Sequence, residues 1–128
     1  MDHRGLRAAV VLGVPVVQFK IIIPLFPMRM LITGGAGFIG SNLAEALLKR
    51  KEVSFVRVMD DLSTGTAANI EEFRNDPRFE FMEADIRKYP DCLIACEGIS
   101  HISHQAALGS VPRSIHDPLT TNEVNITG

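Results

Sequence analysis

The stretch "LITGGAGFIGSN", Leu31 to Asn42, constrains this chain more than any other. An apolar run meets Gly34, Gly35, Gly37 and Gly40 within seven residues and emerges as a helical pattern. A strand that turns sharply into a helix needs backbone angles that side chains resist and glycine permits. The helix start also presents unpaired N–H groups and a partial positive charge, which suit a pyrophosphate. Any Cβ at the closest approach would push the phosphates away. The spacing fits Gly35-x-Gly37-x-x-Gly40 and equally Gly34-x-x-Gly37-x-x-Gly40. Alone, either pattern is weak, because glycine-rich turns also serve tight packing.

The surroundings supply the context. From Met28 the pattern alternates strand and helix, as in a parallel sheet with crossover helices. "MRMLIT" reads as a buried strand ending at Thr33, and Ile39, Leu43, Ala46 and Leu47 put an apolar face on a helix reaching about Lys51. "VSFVRVM" is the second strand, running up to Asp60, "TAANIEEF" a helix and "RFEFMEA" the third strand. Asp91 to Glu97 reads as a short helix and "ISHISH" as the fourth strand. "SVPRSIHDP" reads as a loop broken by Pro112 and Pro118, and a last helix begins near Leu119. Right-handed crossovers then predict an α/β fold with about four parallel strands in the order 3-2-1-4. Such a sheet has exposed edges and is small for its architecture: the front half of a doubly wound sheet.

Asp60 lies twenty residues beyond Gly40, at the end of the second strand. There a carboxylate can accept hydrogen bonds from an adenosine ribose. It would also repel a 2′-phosphate, since two charges about 4 Å apart cost about 4 kcal/mol at an effective dielectric of about 20. Asp61 adds to the repulsion and no arginine follows directly, so NAD is favoured over NADP. The plainer alternative for Asp60 is a solvated strand end or a helix cap.

Composition excludes several other classes. At 128 residues the chain can hold one small domain. Its net charge of -2 offers nothing to nucleic acid or acidic membranes. Cys92 and Cys96 lie four apart with no histidine at ligand spacing, so two small buried or half-buried residues are expected rather than a metal or redox site. That cysteine usage points to a reducing compartment, the cytoplasm. Residues from Val10 to Pro27 are apolar, but Gln18, Lys20, Pro15, Pro24 and Pro27 make a poor spanning helix. Arg4 and Arg7 ahead of "AAVVLGVPVV" suit a signal peptide, yet no clear small-residue cleavage site follows. We therefore read 1–27 as an atypical leader outside the fold and 28–128 as a partial dinucleotide-binding domain.

"TGGAGFIGSNLAEALL", followed by "DDLSTG", "ADIR" and "HQAALGSVPRSIHDP", resembles the extended short-chain dehydrogenase/reductases. Within them the chain is most similar to the NAD-dependent nucleotide-sugar 4-epimerases, those acting on UDP-hexoses or UDP-N-acetylhexosamines. The resemblance runs from about Met28 to Gly128 and implies the N-terminal half of a Rossmann fold. It implies that Gly34, Gly37, Phe38, Ile39 and Gly40 lie under the pyrophosphate of NAD. Asp60 would bind the adenosine ribose, with Asp61, Leu62, Ser63, Thr64 and Gly65 closing around it. Asp85 and Ile86 match the acid-apolar pair at the adenine, the acid accepting from its amino group. Gln105, Ala106 and Ala107 would follow the fourth strand beside the cofactor. Gly109 and Ser110 match the turn that approaches the sugar, although Ser110 is equally suited to capping the next turn. Asn125, in "NITG", matches a helix that packs near the active centre.

The resemblance also shows what these residues do not supply. Family chemistry uses a tyrosine with a lysine four residues later, and a Ser or Thr on the fifth strand. The one tyrosine here, Tyr89, is followed by Pro90, and Leu93 stands in the lysine's place. No catalytic residue is therefore assigned, and the partial domain is expected to end ahead of that pair. A UDP-sugar is the partner implied for a whole family member, and such members usually form homodimers. A 4,6-dehydratase or a uronate decarboxylase uses the same first half, and a non-catalytic NAD-binding module or decayed gene product is the alternative outside the enzymes. His104, ending a strand read as buried, is expected to be a packed, hydrogen-bonded core residue rather than a proton carrier. Ser100 and Ser103 replace larger apolar residues in that strand, at some loss of core burial.

Overall fold

The computed structural model describes residues 27–128. The leader expectation, Pro27 aside, lies outside the described residues. Four parallel strands form one sheet in the order β3-β2-β1-β4: β1 (Met28–Thr33), β2 (Val53–Asp60), β3 (Phe79–Glu83) and β4 (His101–His104). This is the expected order. The alternating apolar residues of β1 and β2 feed two layers, because successive side chains point to opposite faces. Ile32, Val56 and Val58 pack with Ala44 and Leu48 of helix α1 (Phe38–Leu48) and with Ile70 and Phe73 of a 3-10 helix (Ala67–Phe73). Leu31 and Met59 on the other face pack against Ala95 of helix α2 (Tyr89–Cys96).

Two arginines close this frame by capping distant carbonyls. Arg57, in β2, donates to the carbonyls of Ile94, Ala95 and Glu97 at the end of α2, and pairs with Glu80 of β3. Arg78 donates to Leu48 O at 2.5 Å and Val53 O at 3.4 Å, tying the end of α1 to the start of β2. Asp76 orients it through a contact of 2.8 Å. That hydrogen-bonded guanidinium holds the Asp76 carboxyl below its ordinary 3.8, outweighing desolvation. A carboxyl whose folded-state value is depressed adds stability above its unfolded value and loses it as pH falls through the folded one. The urea midpoint should therefore drop on acidification below about pH 4. In Asp76→Asn that drop should be shallower; an unchanged acid slope would remove Asp76 as a source.

Three local expectations are corrected. First, the packed face of α1 is Gly40, Ser41, Ala44 and Leu48, with Leu43 and Leu47 flanking it, while Ile39 and Ala46 are exposed and the helix ends at Leu48, not Lys51. The helix approaches the glycine turn so closely that small residues occupy the contact. Second, "SVPRSIHDP" is not a loop, since Val111–His116 forms helix α3, capped by the Ser110 hydroxyl accepting from Arg113 N–H. Pro112 lies in its first turn, where a missing N–H costs nothing. Third, β4 is not buried among the described residues: His101, Ile102 and His104 are exposed, because β4 is the edge of the sheet these residues form. Ser100, just before it, bonds both the N–H and the carbonyl of Arg29, tying the strand's start to β1. Helix α4 (Pro118–Asn122) and a π-helical turn (Glu123–Thr127) end the chain. Among the described residues no helix is long and apolar enough to cross a membrane.

Candidate functional site

The C-terminal ends of β1, β2 and β4 open on a cleft of about 250 Å³. At its floor the glycines divide by role. Gly34 has φ +66, and a Cβ there would lie 2.7 Å from the backbone of Ala106. A Cβ on Gly40 would lie 2.4 Å from Gly34 O, and one on Gly35 2.5 Å from Val58. These three answer to packing. Gly37 differs: its backbone, φ -78 and ψ 175, suits any residue, and its Cβ would meet only Gly34 O at 3.3 Å. What its Cβ would fill is the cleft. Gly34, Gly37 and Gly40 line that cleft and Gly35 does not.

Gly37 is also the N-cap of α1, and it brings no side chain to the helix end. The first turn holds no acidic residue either. The N–H groups of Phe38, Ile39 and Gly40 precede the first helical bond, Ser41 N–H to Gly37 O. An uncapped helix start of this kind favours an anion.

Asp60 is buried beside this turn. One of its oxygens accepts from Ala36 N–H and the other from Leu62 N–H, both at 2.9 Å. A carboxylate has about four acceptor positions, so these two bonds orient it and leave others for a ligand hydroxyl. Leu62 takes φ 57, rare for a branched side chain, and packs against the core beneath the loop. Gly65 lies behind the glycine turn, where a Cβ would stand 2.7 Å from Ala36 C.

The wall beyond β3 carries a second acid. Asp85 receives both Nε and Nη2 of Arg87, at 2.7–3.0 Å. That bonding holds its carboxyl below the ordinary value, although partial burial pushes the other way. Arg87 extends to Glu123 at 3.5 Å, and Asn125 brackets the backbone of Leu108, accepting from its N–H at 2.8 Å and donating to its carbonyl at 3.1 Å. The last turn is thereby pinned to both rims of the cleft, with Val124 on its lining.

A family model described as GDP-mannose 4,6 dehydratase matches residues 31–128. The chain belongs to the NAD-dependent epimerase/dehydratase family. A UDP-glucose 4-epimerase from Mycolicibacterium smegmatis is 43% identical over 102 residues, covering 79% of this chain and 32% of the relative. Among solved structures, the UDP-glucose 4-epimerase of Thermus thermophilus in complex with NAD aligns with TM-score 0.67 and 40% identity, over 78% of this chain and 30% of that one. A dTDP-glucose 4,6-dehydratase from Streptomyces venezuelae, with NAD and TYD bound, aligns with TM-score 0.72 and 36% identity, over 78% and 33%. This chain thus spans about a third of the length of the relatives it matches.

Most residues that the family pattern singles out do converge. Phe38, Ile39, Asp60, Asp61, Ser63, Thr64, Asp85 and Ile86 line the same cleft as the glycines, and so do Gln105, Ala106 and Ala107. Leu62, Gly65, Gly109 and Ser110 stand outside the lining. Met59, Ala84, Leu108 and Val124 belong to it without having been expected. They are apolar wall residues with no chemical signature, although the asparagine of "NITG" marked the segment that carries Val124. His104 is hydrogen-bonded, to Thr33 at 2.7 Å, but it is exposed and not a core residue. Cys92 is half-buried, as expected, and burial raises its thiol, while Cys96 is exposed.

Proposed function

We propose that the cleft binds NAD and that the chain is the cofactor-binding part of a nucleotide-sugar 4-epimerase. The observation that carries the reading is Gly37: packing opposes a Cβ there less than at Gly34, Gly35 or Gly40, with a single tight contact to Gly34 O at 3.3 Å, and its missing Cβ leaves room above an uncapped helix start. The residues fit the adenosine diphosphate half of the cofactor. The α1 amides would hold the pyrophosphate and the remaining Asp60 acceptor positions an adenosine ribose, while Ile86 and Ala84 offer an apolar wall to the adenine. Bound there, NAD would supply reversible hydride transfer at C4 of the sugar. The residues described here bind and orient; Tyr89 is 73% exposed on α2, with Leu93 four residues on, and takes no part in proton transfer.

Asp60 and Asp61 make the pocket selective against a 2′-phosphate. In Asp60→Asn, which removes the charge and turns one of the two oxygens that accept Ala36 and Leu62 N–H into an amide donor, the NAD-over-NADP preference of the folded protein should fall about tenfold, equivalent to about 1.4 kcal/mol. An unmoved ratio, measured by titration calorimetry, would take Asp60 away from the ribose. The epimerase reading rests on the 43% identical epimerase and on the "HQAALGSVPRS" segment. A 4,6-dehydratase is the second reading, favoured by the matching family model and the TM-score of 0.72. Grafting 28–128 in place of the matching third of each relative would separate them. We expect interconversion of UDP-glucose and UDP-galactose in the epimerase graft; activity only in the dehydratase graft would reverse the assignment.

A further inference from the structure

We propose that His104 is a positioning residue for the cleft wall, acting through the Thr33 hydroxyl and only as the imidazole that carries its proton on Nε2. Its effect on cofactor binding rests on the NAD reading above; its effect on the wall does not.

The inference follows from counting protons around one buried oxygen. Thr33 ends β1 opposite His104 of β4, and its side chain is buried. A hydroxyl has one hydrogen and two lone pairs. Thr33 Oγ1 accepts from Ala106 N–H at 3.3 Å and shares Gln105 N–H, at 3.1 Å, with its own carbonyl oxygen, so both backbone donors face its lone pairs. Among the described residues its hydrogen is then directed at His104 Nδ1, at 2.7 Å. In that arrangement Nδ1 accepts and carries no proton, and the ring proton sits on Nε2.

The same count says which wall atom depends on the arrangement. Gln105 N–H also reaches Thr33 O at 3.0 Å, so it keeps a partner if the hydroxyl turns. Ala106 N–H has the hydroxyl oxygen as its partner. The Ala106 backbone in turn lies against Gly34, within 2.7 Å of where a Cβ would be. A hydroxyl released from His104 can rotate and put its hydrogen in the path of Ala106 N–H. The disturbance would then pass to the residue beside the first glycine of the cradle. Among the described residues His104 is exposed and contributes little packing that could account for such an effect.

The test uses the full chain and three readouts: the imidazole nitrogen resonances of His104, hydrogen exchange at Ala106 N–H, and NAD affinity by calorimetry. The expected spectrum has a bare Nδ1 and a protonated Nε2; a mixture of tautomers, or the Nδ1–H form, would overturn the proposal. His104→Asn keeps an acceptor near the Nδ1 position and should leave exchange and affinity within about threefold of the parent. His104→Phe removes that acceptor, and both should worsen about tenfold, the equivalent of one lost hydrogen bond. In a Thr33→Val background His104→Phe should change nothing further, because the route has been removed. Equal behaviour of the Asn and Phe variants, or full additivity with Thr33→Val, would overturn the proposal. Should Thr33→Val not fold, the Asn–Phe pair still decides. A parent that binds no NAD while Ala106 exchange follows the expected pattern would remove the NAD reading and leave the positioning role intact. Normal NAD binding with unmoved Ala106 exchange in His104→Phe would do the reverse.

Discussion

Gly37→Val is expected to leave the chain folded and remove its NAD affinity, by at least about a hundredfold, or about 2.7 kcal/mol. The backbone at Gly37 is already extended, and the added Cβ would touch only Gly34 O at 3.3 Å. Exchanging glycine for a β-branched residue at an N-cap costs stability of about 1 kcal/mol, a loss the sheet core can absorb. Binding fares differently. The valine methyl groups would occupy the place where phosphate oxygens approach the amides of Phe38, Ile39 and Gly40. Circular dichroism and calorimetry on the same sample check both halves. Near-parent affinity in a folded Gly37→Val would remove the phosphate cradle from the account.

Gly40→Ala, three residues on, should fail in the opposite way. Its Cβ would lie 2.4 Å from Gly34 O and 2.5 Å from Gly35 Cα, both backbone atoms of a turn that has no room to retreat. Overpacking against fixed backbone costs about 3 kcal/mol, a large share of what so small a sheet can hold. We expect a markedly lower urea midpoint, with loss of NAD binding following loss of the fold. A Gly40→Ala variant as stable as the parent would show that α1 can pull away from the turn, and that the glycine spacing is not set by helix packing. Together the two variants separate a glycine kept for a ligand from one kept for the fold, a distinction that spacing alone does not make.

The strand order was legible because it depends on short apolar runs and on the handedness of crossovers, both visible in one dimension. So was the convergence of the glycine turn, Asp60 and the segment after β4, since all sit where parallel strands end. The packed face of α1 was not legible. Hydrophobicity points to Ile39 and Ala46, whereas close approach selects Gly40, Ser41 and Ala44. Helix α3 was hidden by reading Pro112 as a breaker when it occupies a first turn. The capping roles of Arg57 and Arg78 join residues more than twenty positions apart and leave no local trace. Arg87, whose bonds to Asp85 hold that acid in place beside the cleft, is hidden for another reason: in the sequence its partner reads as a contact for a ligand rather than for a neighbour.

The central claim, that this cleft is a pyrophosphate and ribose site for NAD, is tested most directly by titrating the purified chain with NAD and with NADP in one calorimetric series. Far-ultraviolet circular dichroism on the same preparation establishes that the sheet is formed. Saturable binding of one NAD per chain is expected, at least about tenfold tighter than NADP. A folded chain that takes up neither, or binds both equally, would contradict it.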